Sequence, residues 1–353
     1  MDPMKANQGG DDALTEGAEV AAAGTALRNL RALRYDPPGY AKQGARRTTF
    51  QSALEQCEQF LAAATEAGYA TRSVQLFYAL SQAGRAMVAA SPRIGNQAWR
   101  VSGHGLSAKT DVSLAADVSV TAARSGLFPA VASALGIEAL AAGEPAALSD
   151  LWPLLPEAAF VPLTNEVARP VLRFFPGGFP YSEVFSQAEV YWIPKQVRDL
   201  YGEDHLQVKH YLNSYPSLAD CTIRLEQPMK KLRWSEAGPG LRLDVEWRRN
   251  MGSPPLMLAD NKTTVDLGIA KYRAADDCFI TPRVGSMSSG LHPFLALWAS
   301  LLALSSLARY EPALWSKMID IDRSAEANAI EHLLEEAITS VPAVVEYLMS
   351  TLK

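Results

Sequence analysis

Cysteine is scarce in this chain. Cys57, Cys221 and Cys278 are the three in 353 residues, and no two of them form a CxxC pair. An odd, scattered set indicates neither a disulfide framework nor a zinc ribbon, so reduced and mostly packed thiols are expected, as in a cytoplasmic protein. Histidine is nearly as sparse, with five residues and no HExxH pattern. Glu203, Asp204, His205 and His210 are the nearest approach to a metal-ligand cluster, but the spacing of the two histidines does not stack them on one helical face. They are read as a surface helix end, and no metal or cofactor is indicated. GxxxxGK[ST], GxGxxG and GxSxG are missing too, so P-loop, Rossmann and α/β-hydrolase chemistry have no support.

Long apolar runs are also lacking. The greasiest stretch, Phe294 to Ala308, contains Ser300, Ser305 and Ser306 and is stopped by Arg309. A bilayer span takes about 20 residues. A buried helix and no membrane association are therefore expected. The opening segment, MDPMKANQGGDD, is polar and has no apolar core of the signal-peptide kind, which again favours a cytoplasmic location. The net charge of -5 argues against a generic polyanion binder, so any nucleic-acid contact would need a local basic patch.

What is present is a large apolar fraction, 48%, on a chain long enough for two domains or one composite one. Residues 1–12 read as a disordered N-terminus. Residues 13–110 read as an N-terminal helical part. Helices are expected over Ala13 to Leu33, Thr48 to Ala67 (stopped by Gly68) and Thr71 to Ala90. In the third, Ala79, Ala83, Ala86 and Ala90 form a small-residue stripe that lets a neighbouring helix approach closely. Residues 111–282 read as a mixed region. Val118 and Val120 suggest a short strand, 141–180 is rich in proline and glycine and reads as irregular, and a β-meander is expected over about 220–282. There Cys221, Ile223 and Leu225, then Leu241, Leu243, Val245 and Trp247, then Val265, Leu267 and Ile269 alternate with polar neighbours. Residues 283–353 read as a C-terminal helical part packing on the N-terminal helices, with Ser324 and Ser340 as caps of its later helices and Pro342 in a first turn. The fold class is α+β: a mainly helical bundle with an inserted antiparallel β-region.

Three segments carry a family likeness: LFYALSQAGRAMVAA followed by WRVSGHGL, then YLNSYPSLADCTI, then LHPFLALWASLLALSSLARYEPALWSKMI. Together they resemble the bacterial YaaC-like proteins over roughly residues 70–350, with Arg309 to Trp315 the most specific piece. The family carries no settled activity to transfer. Phe77-Tyr78-Ala79-Leu80, followed by small residues and a histidine turn, resembles the HEPN helical domains. That likeness implies a HEPN-like bundle, a homodimer that completes the site, and a ribonuclease arginine and histidine. Here those residues would be Arg100 and His104. Their separation is shorter than in that superfamily, and Val101 stands where a polar residue is favoured.

The catalytic candidates are thus His104, as acid or base on an RNA 2′-hydroxyl, and Arg100, as phosphate holder. The structural alternative is a turn in which Ser102 or His104 caps a helix and Gly103 and Gly105 permit tight backbone angles, and the short spacing gives it more weight. Arg309 and Tyr310, with Ser102, are anion-binding candidates. An arginine at a helix C-terminus is also stabilising on its own account. Lys230, Lys231, Arg233, Arg242, Arg248 and Arg249 form a basic group, diluted by Glu226, Glu236, Asp244 and Glu246, and read as a solvated sheet face. His332 and Glu336 read as an exposed i,i+4 pair, and His292 as orienting a helix start. The expected function is binding of a protein partner or an RNA or nucleotide ligand. A metal-independent ribonuclease and an enzyme acting on a small phosphorylated metabolite through Arg309 are the alternatives.

Overall fold

A computed structural model describes residues 8–95, 97–164, 169–176, 185–226, 231–248 and 268–352. Helix α1, Gln8–Tyr35, starts ahead of the expected Ala13 boundary and ends before Pro37-Pro38. Helix α2, Gly44–Glu66, turns Leu54, Cys57, Leu61 and Ala64 inward, as its periodicity predicts. Gly68 is not a left-handed stop. Its φ is -72°, and it precedes helix α3, Tyr69–Ala90. The small-residue stripe of α3 is fully buried.

Strands β1 (Leu106–Lys109), β2 (Ser119–Ala122) and β3 (Pro145–Ala147) make a small antiparallel sheet. Helix α4 (Leu127–Leu135) lies between β2 and β3, and the short helix α5 (Leu148–Leu151) follows β3. The second sheet uses strands β4 (Leu172–Pro176), β5 (Phe185–Ile193), β6 (Thr222–Ile223), β9 (Ser235–Ala237), β10 (Gly240–Arg248), β11 (Ala270–Lys271) and β12 (Cys278–Ile280). Strands β7 (Leu225–Glu226) and β8 (Lys231–Leu232) pair separately, and helices α6 (Lys195–Tyr201) and α7 (His205–Leu212) connect β5 to β6. The order is β11-β12-β4-β5-β10-β6, with β9 added to β10 and every pairing antiparallel.

The alternation read in Leu241, Leu243 and Val245 is present, and all three are buried. The sheet is not a meander confined to 220–282. Its central pair is β5 with β10, and β4 and β5 come from upstream, where β4 lies inside the stretch read as irregular. Val265 and Leu267 lie outside the described residues.

The C-terminal part is helical: α8 (Pro293–Tyr310), α9 (Pro312–Met318) and α10 (Ala327–Ser350). Among the described residues α8 is long and apolar enough to cross a membrane, but 83% of it is buried inside the fold, the behaviour of a core helix. Ser340 and Pro342 do not start a new helix. Both lie inside α10, where Ile330, Leu333, Leu334 and Ala337 stay in phase with Val341, Val344, Val345 and Leu348. Burial of one continuous apolar face against α1 and α3 outweighs the single backbone hydrogen bond that a proline removes. Ser324 is not the cap of α10 either: the N-cap position is Glu326, and the Ser324 Oγ accepts from the Glu326 amide at 3.2 Å in the turn before the helix.

Two hydrophobic cores result. One joins α1–α5, the small sheet and α8–α10, so N- and C-terminal helices share it. The other lies between the large sheet and α6–α7, with Val190, Leu212, Tyr215 and Leu243 at its centre. Tyr272 and Phe279, from the sheet's edge, belong to the first core, and Trp192 packs against it.

Candidate anion-binding site

The loop after α3 is fixed by its glycines. Gly103 and Gly105 have φ of 72° and 73°, the left-handed region open to glycine. A side chain on Gly105 would meet Pro129 Cδ at 2.7 Å, because the loop runs directly against Gly126 at the start of α4. The carbonyls of Gly103 and His104 accept from the amides of Leu127 and Phe128, at 3.1 and 2.9 Å. Those amides are first-turn donors that have no partner inside their own helix. The turn geometry read from Gly103 and Gly105 is therefore present, but the helix is capped by loop carbonyls and not by the Ser102 or His104 side chains.

This anchoring presses the His104 ring against Phe77 and Tyr78 of α3, with centroids 5.2 and 6.3 Å away. Its Nδ1 is buried and has no hydrogen-bond partner among the described residues. Burial lowers the His104 pKa, and the nearby Arg309 and Arg85 charges lower it further, so the imidazole is held neutral. Arg309 reaches this point from the last turn of α8. Its Nε donates to the Ser305 carbonyl at 3.1 Å, and its Nη1 donates to the Tyr78 hydroxyl at 3.3 Å. The guanidinium also lies 5.7 Å from the Phe77 ring centre and 4.9 Å from that of the exposed Tyr310. Arg85, half-buried on α3, donates to the Val101 carbonyl at 3.0 Å. Among the described residues neither Arg85 nor Arg309 has a carboxylate within ion-pair distance.

The structure thus brings His104 together with Arg309, two candidates that lie far apart in the chain. Arg100 is not part of that group. It is exposed, its guanidinium lies 5.1 Å from the Trp99 ring centre, and the charges acting on His104 are those of Arg309 and Arg85. Arg100 and the exposed Ser102 line an open depression of about 440 Å³ together with Trp99 and Arg85, so Arg85 links the depression to the His104 group. Sequence reasoning gave no role to Arg85 or to the Tyr78 hydroxyl. The available signal was their i,i+7 spacing, which places them two turns apart on one helix face.

The other candidates lie on separate elements. Asp204 caps α7 by accepting from the Leu206 and Gln207 amides, His205 and His210 are exposed, and Glu203 pairs with Lys231 at 3.0 Å. Arg242 is engaged by Glu189 and Asp244 at 3.4 Å each, which makes it part of a salt-bridged sheet face. Lys230 and Arg249 lie outside the described residues, and nothing is described of the Arg248 side chain. His332 is half-buried and not on an exposed face, with Nε2 3.0 Å from the Glu157 carbonyl. His292 caps α8, its Nδ1 accepting from the Phe294 amide at 3.2 Å.

The sequence matches the YaaC-like protein family over residues 27–349. The chain belongs to the YaaC-like family. No curated protein and no solved structure matches it. The candidate site lies wholly within the stretch that the family covers, and so do both cores except for Leu352 at the C-terminal edge of the first.

Proposed function

We propose that this YaaC-like protein binds a phosphate-bearing ligand, an RNA or a nucleotide, with Arg85, Arg309 and the Tyr78 hydroxyl as its phosphate contacts. The observation that carries the reading is a pair of guanidinium groups beside a half-buried histidine whose pKa they lower, with no carboxylate within ion-pair distance of either among the described residues. Such a pair attracts an anion, and guanidinium matches the geometry of phosphate oxygens. The neighbouring depression supports an extended ligand. The Trp99 ring there has the Arg46 and Arg100 guanidiniums 5.6 and 5.1 Å from its centre, and an aromatic ring beside positive charge is the combination that single-stranded nucleic acids use.

The test is fluorescence anisotropy with a labelled single-stranded RNA, followed over a range of salt concentrations. Binding that weakens with salt, and that falls about tenfold or more in Arg309→Ala and Arg85→Ala variants with unchanged melting temperature, is the expected result. Equal binding by those variants, or capture of a protein partner with no affinity for RNA or nucleotides, overturns it.

A second reading, metal-independent RNA cleavage, is favoured by one feature. Burial and the two arginines lower the His104 pKa, which favours the neutral imidazole that a general base requires. Cleavage of a mixed RNA in EDTA by the wild type and not by His104→Ala supports catalysis. Tight RNA binding without any cleavage leaves a binding protein.

A further inference from the structure

The seam between the two cores holds two adjoining cavities. Strand β5 carries a bulge there: Leu241 pairs with Ile193 and Leu243 with Val190, so Tyr191 and Trp192 stand opposite the single residue Arg242. A bulge of this kind re-aims a side chain out of the sheet. Trp192 has a φ of 69°, the only non-glycine residue with positive φ among those described. A bulky residue stays in that conformation only where its surroundings impose it, and such positions cluster at ligand sites. Here the ring meets Phe160 in a T-shaped contact at 5.0 Å between centroids and Phe279 at 5.5 Å with a 41° tilt, and the Arg173 guanidinium lies 5.9 Å from its centre. The bare backbone of Gly240 admits the close approach, since a side chain there would meet Trp192 Cα at 2.8 Å.

Trp192 lines a cavity of about 370 Å³ with Trp152 and Phe160, and its remaining wall includes five prolines, Pro153, Pro162, Pro170, Pro194 and Pro239. Proline walls have little freedom to lose when a ligand enters. Phe160 is 47% exposed and offers a ring face at the mouth. This cavity shares Ser149, Pro153 and Thr164 with a neighbouring one of about 590 Å³, which is polar and contains Arg169 and Arg283. Among the described residues neither arginine has a carboxylate within ion-pair distance. The one acid in that wall, Asp150, already accepts from the Ala147 amide at 3.2 Å. Both volumes fall in the usual range for small-molecule sites. An aromatic slot therefore opens into a compartment of net positive charge.

We infer that this seam binds a small molecule with a planar aromatic ring at one end and a phosphate or carboxylate at the other. The ring packs against Trp192 and Phe160, and the anionic group faces Arg169 and Arg283. The site is separate from the Arg85–His104–Arg309 group and does not depend on that group's function.

The test uses the full chain and follows tryptophan fluorescence and melting temperature. The probes are 5′-AMP, 5′-UMP and indole-3-acetate, with adenosine and inorganic phosphate as half-ligands. At least one ring-bearing anion is expected to saturate below about 1 mM and to bind about tenfold or more tightly than either half-ligand. Phe160→Ala and Arg169→Ala, both at exposed positions, are expected to weaken it about tenfold each without lowering the melting temperature of the free protein. Arg309→Ala removes any nucleotide binding at the Arg85–Arg309 group and is expected to leave in place the saturation that Phe160→Ala and Arg169→Ala weaken. Phosphate probes outperforming indole-3-acetate identify a nucleotide-like ligand, and the reverse order identifies an aromatic acid. The inference is overturned if no ring-bearing anion saturates, if the Phe160 and Arg169 variants bind as well as wild type, or if Arg309→Ala abolishes binding.

Discussion

Replacing Glu138 with glutamine should loosen the loop that carries Arg283 and make the loss depend on pH in a defined way. Glu138 accepts from the Ser288 amide at 3.0 Å and its hydroxyl at 2.8 Å, and from the Ser289 amide at 2.8 Å and its hydroxyl at 2.6 Å. Burial alone would raise its pKa, but these four hydrogen bonds outweigh burial and bring it from 4.5 down to about 2. A depression of that size corresponds to about 3 kcal/mol of folding free energy at neutral pH. Solvent screening of this partly exposed carboxylate reduces it to about 1–2 kcal/mol. Glutamine keeps one acceptor oxygen and loses the charge. Because the folded pKa lies below the unfolded one, the stabilisation is fully present above about pH 4.5 and is lost as the pH falls toward 2. Urea denaturation of wild type and Glu138→Gln at pH 7, 4 and 2.5 measures it. A gap of about 1–2 kcal/mol at pH 7 that narrows toward pH 2.5 is expected. A gap that is absent at pH 7, or that stays constant with pH, refutes the reasoning.

Three further outcomes follow from the packing. Gly84→Ala should destabilise by about 1–3 kcal/mol, because the new methyl would meet Trp298 Cζ3 at 2.8 Å and Val131 Cγ2 at 2.9 Å where α3 touches α8 and α4; an unchanged melting temperature would contradict that contact. Glu326→Ala should cost about 2–4 kcal/mol, since the buried carboxylate accepts from the Ala115 and Ala116 amides at 2.8 Å each and its loss orphans both; thermal or chemical denaturation measures it, and a loss below about 1 kcal/mol would contradict it. Burial lowers the His292 pKa to about 4, so the unfolded chain takes up a proton that the folded chain refuses, and stability should fall as pH drops from about 6.5 to about 4. His292→Asn keeps a capping side chain without the titration, and its denaturation midpoint should lose that part of the pH dependence.

The helices were legible because burial imposes a period on them: Leu54, Cys57, Leu61 and Ala64 in α2, and the alanine stripe of α3, repeat on one face and are buried as a set. Strand β10 was legible for the same reason at period two. Strand β5 was not, because the extra residue at its bulge shifts the alternation after Val190, and the ring of Trp192 turns to the first core instead of the second. Ser340 and Pro342 imitate a helix start locally, and the in-phase apolar face that overrides them is visible only across the whole of α10. At the candidate site, His104 and Arg309 stood out by residue type. Their meeting did not, since α3 and α8 are joined in space by small residues such as Gly84 and no local spacing records it. Arg100 carried the sequence argument through its nearness to His104 in the chain, and the turn at Gly103 separates their surroundings.

The central claim is that Arg85 and Arg309 leave a place for phosphate beside His104. The chain has five histidines, so histidine-selective isotope labelling gives few NMR signals, and His104→Gln assigns the relevant one. The measurement is the pKa of His104 with and without a short single-stranded RNA. In the free protein, burial and the two arginines hold it below 6.5. A phosphate seated between those arginines offsets their charge, so the account predicts that bound RNA raises the His104 pKa. RNA that binds elsewhere and leaves the His104 titration unchanged would contradict it.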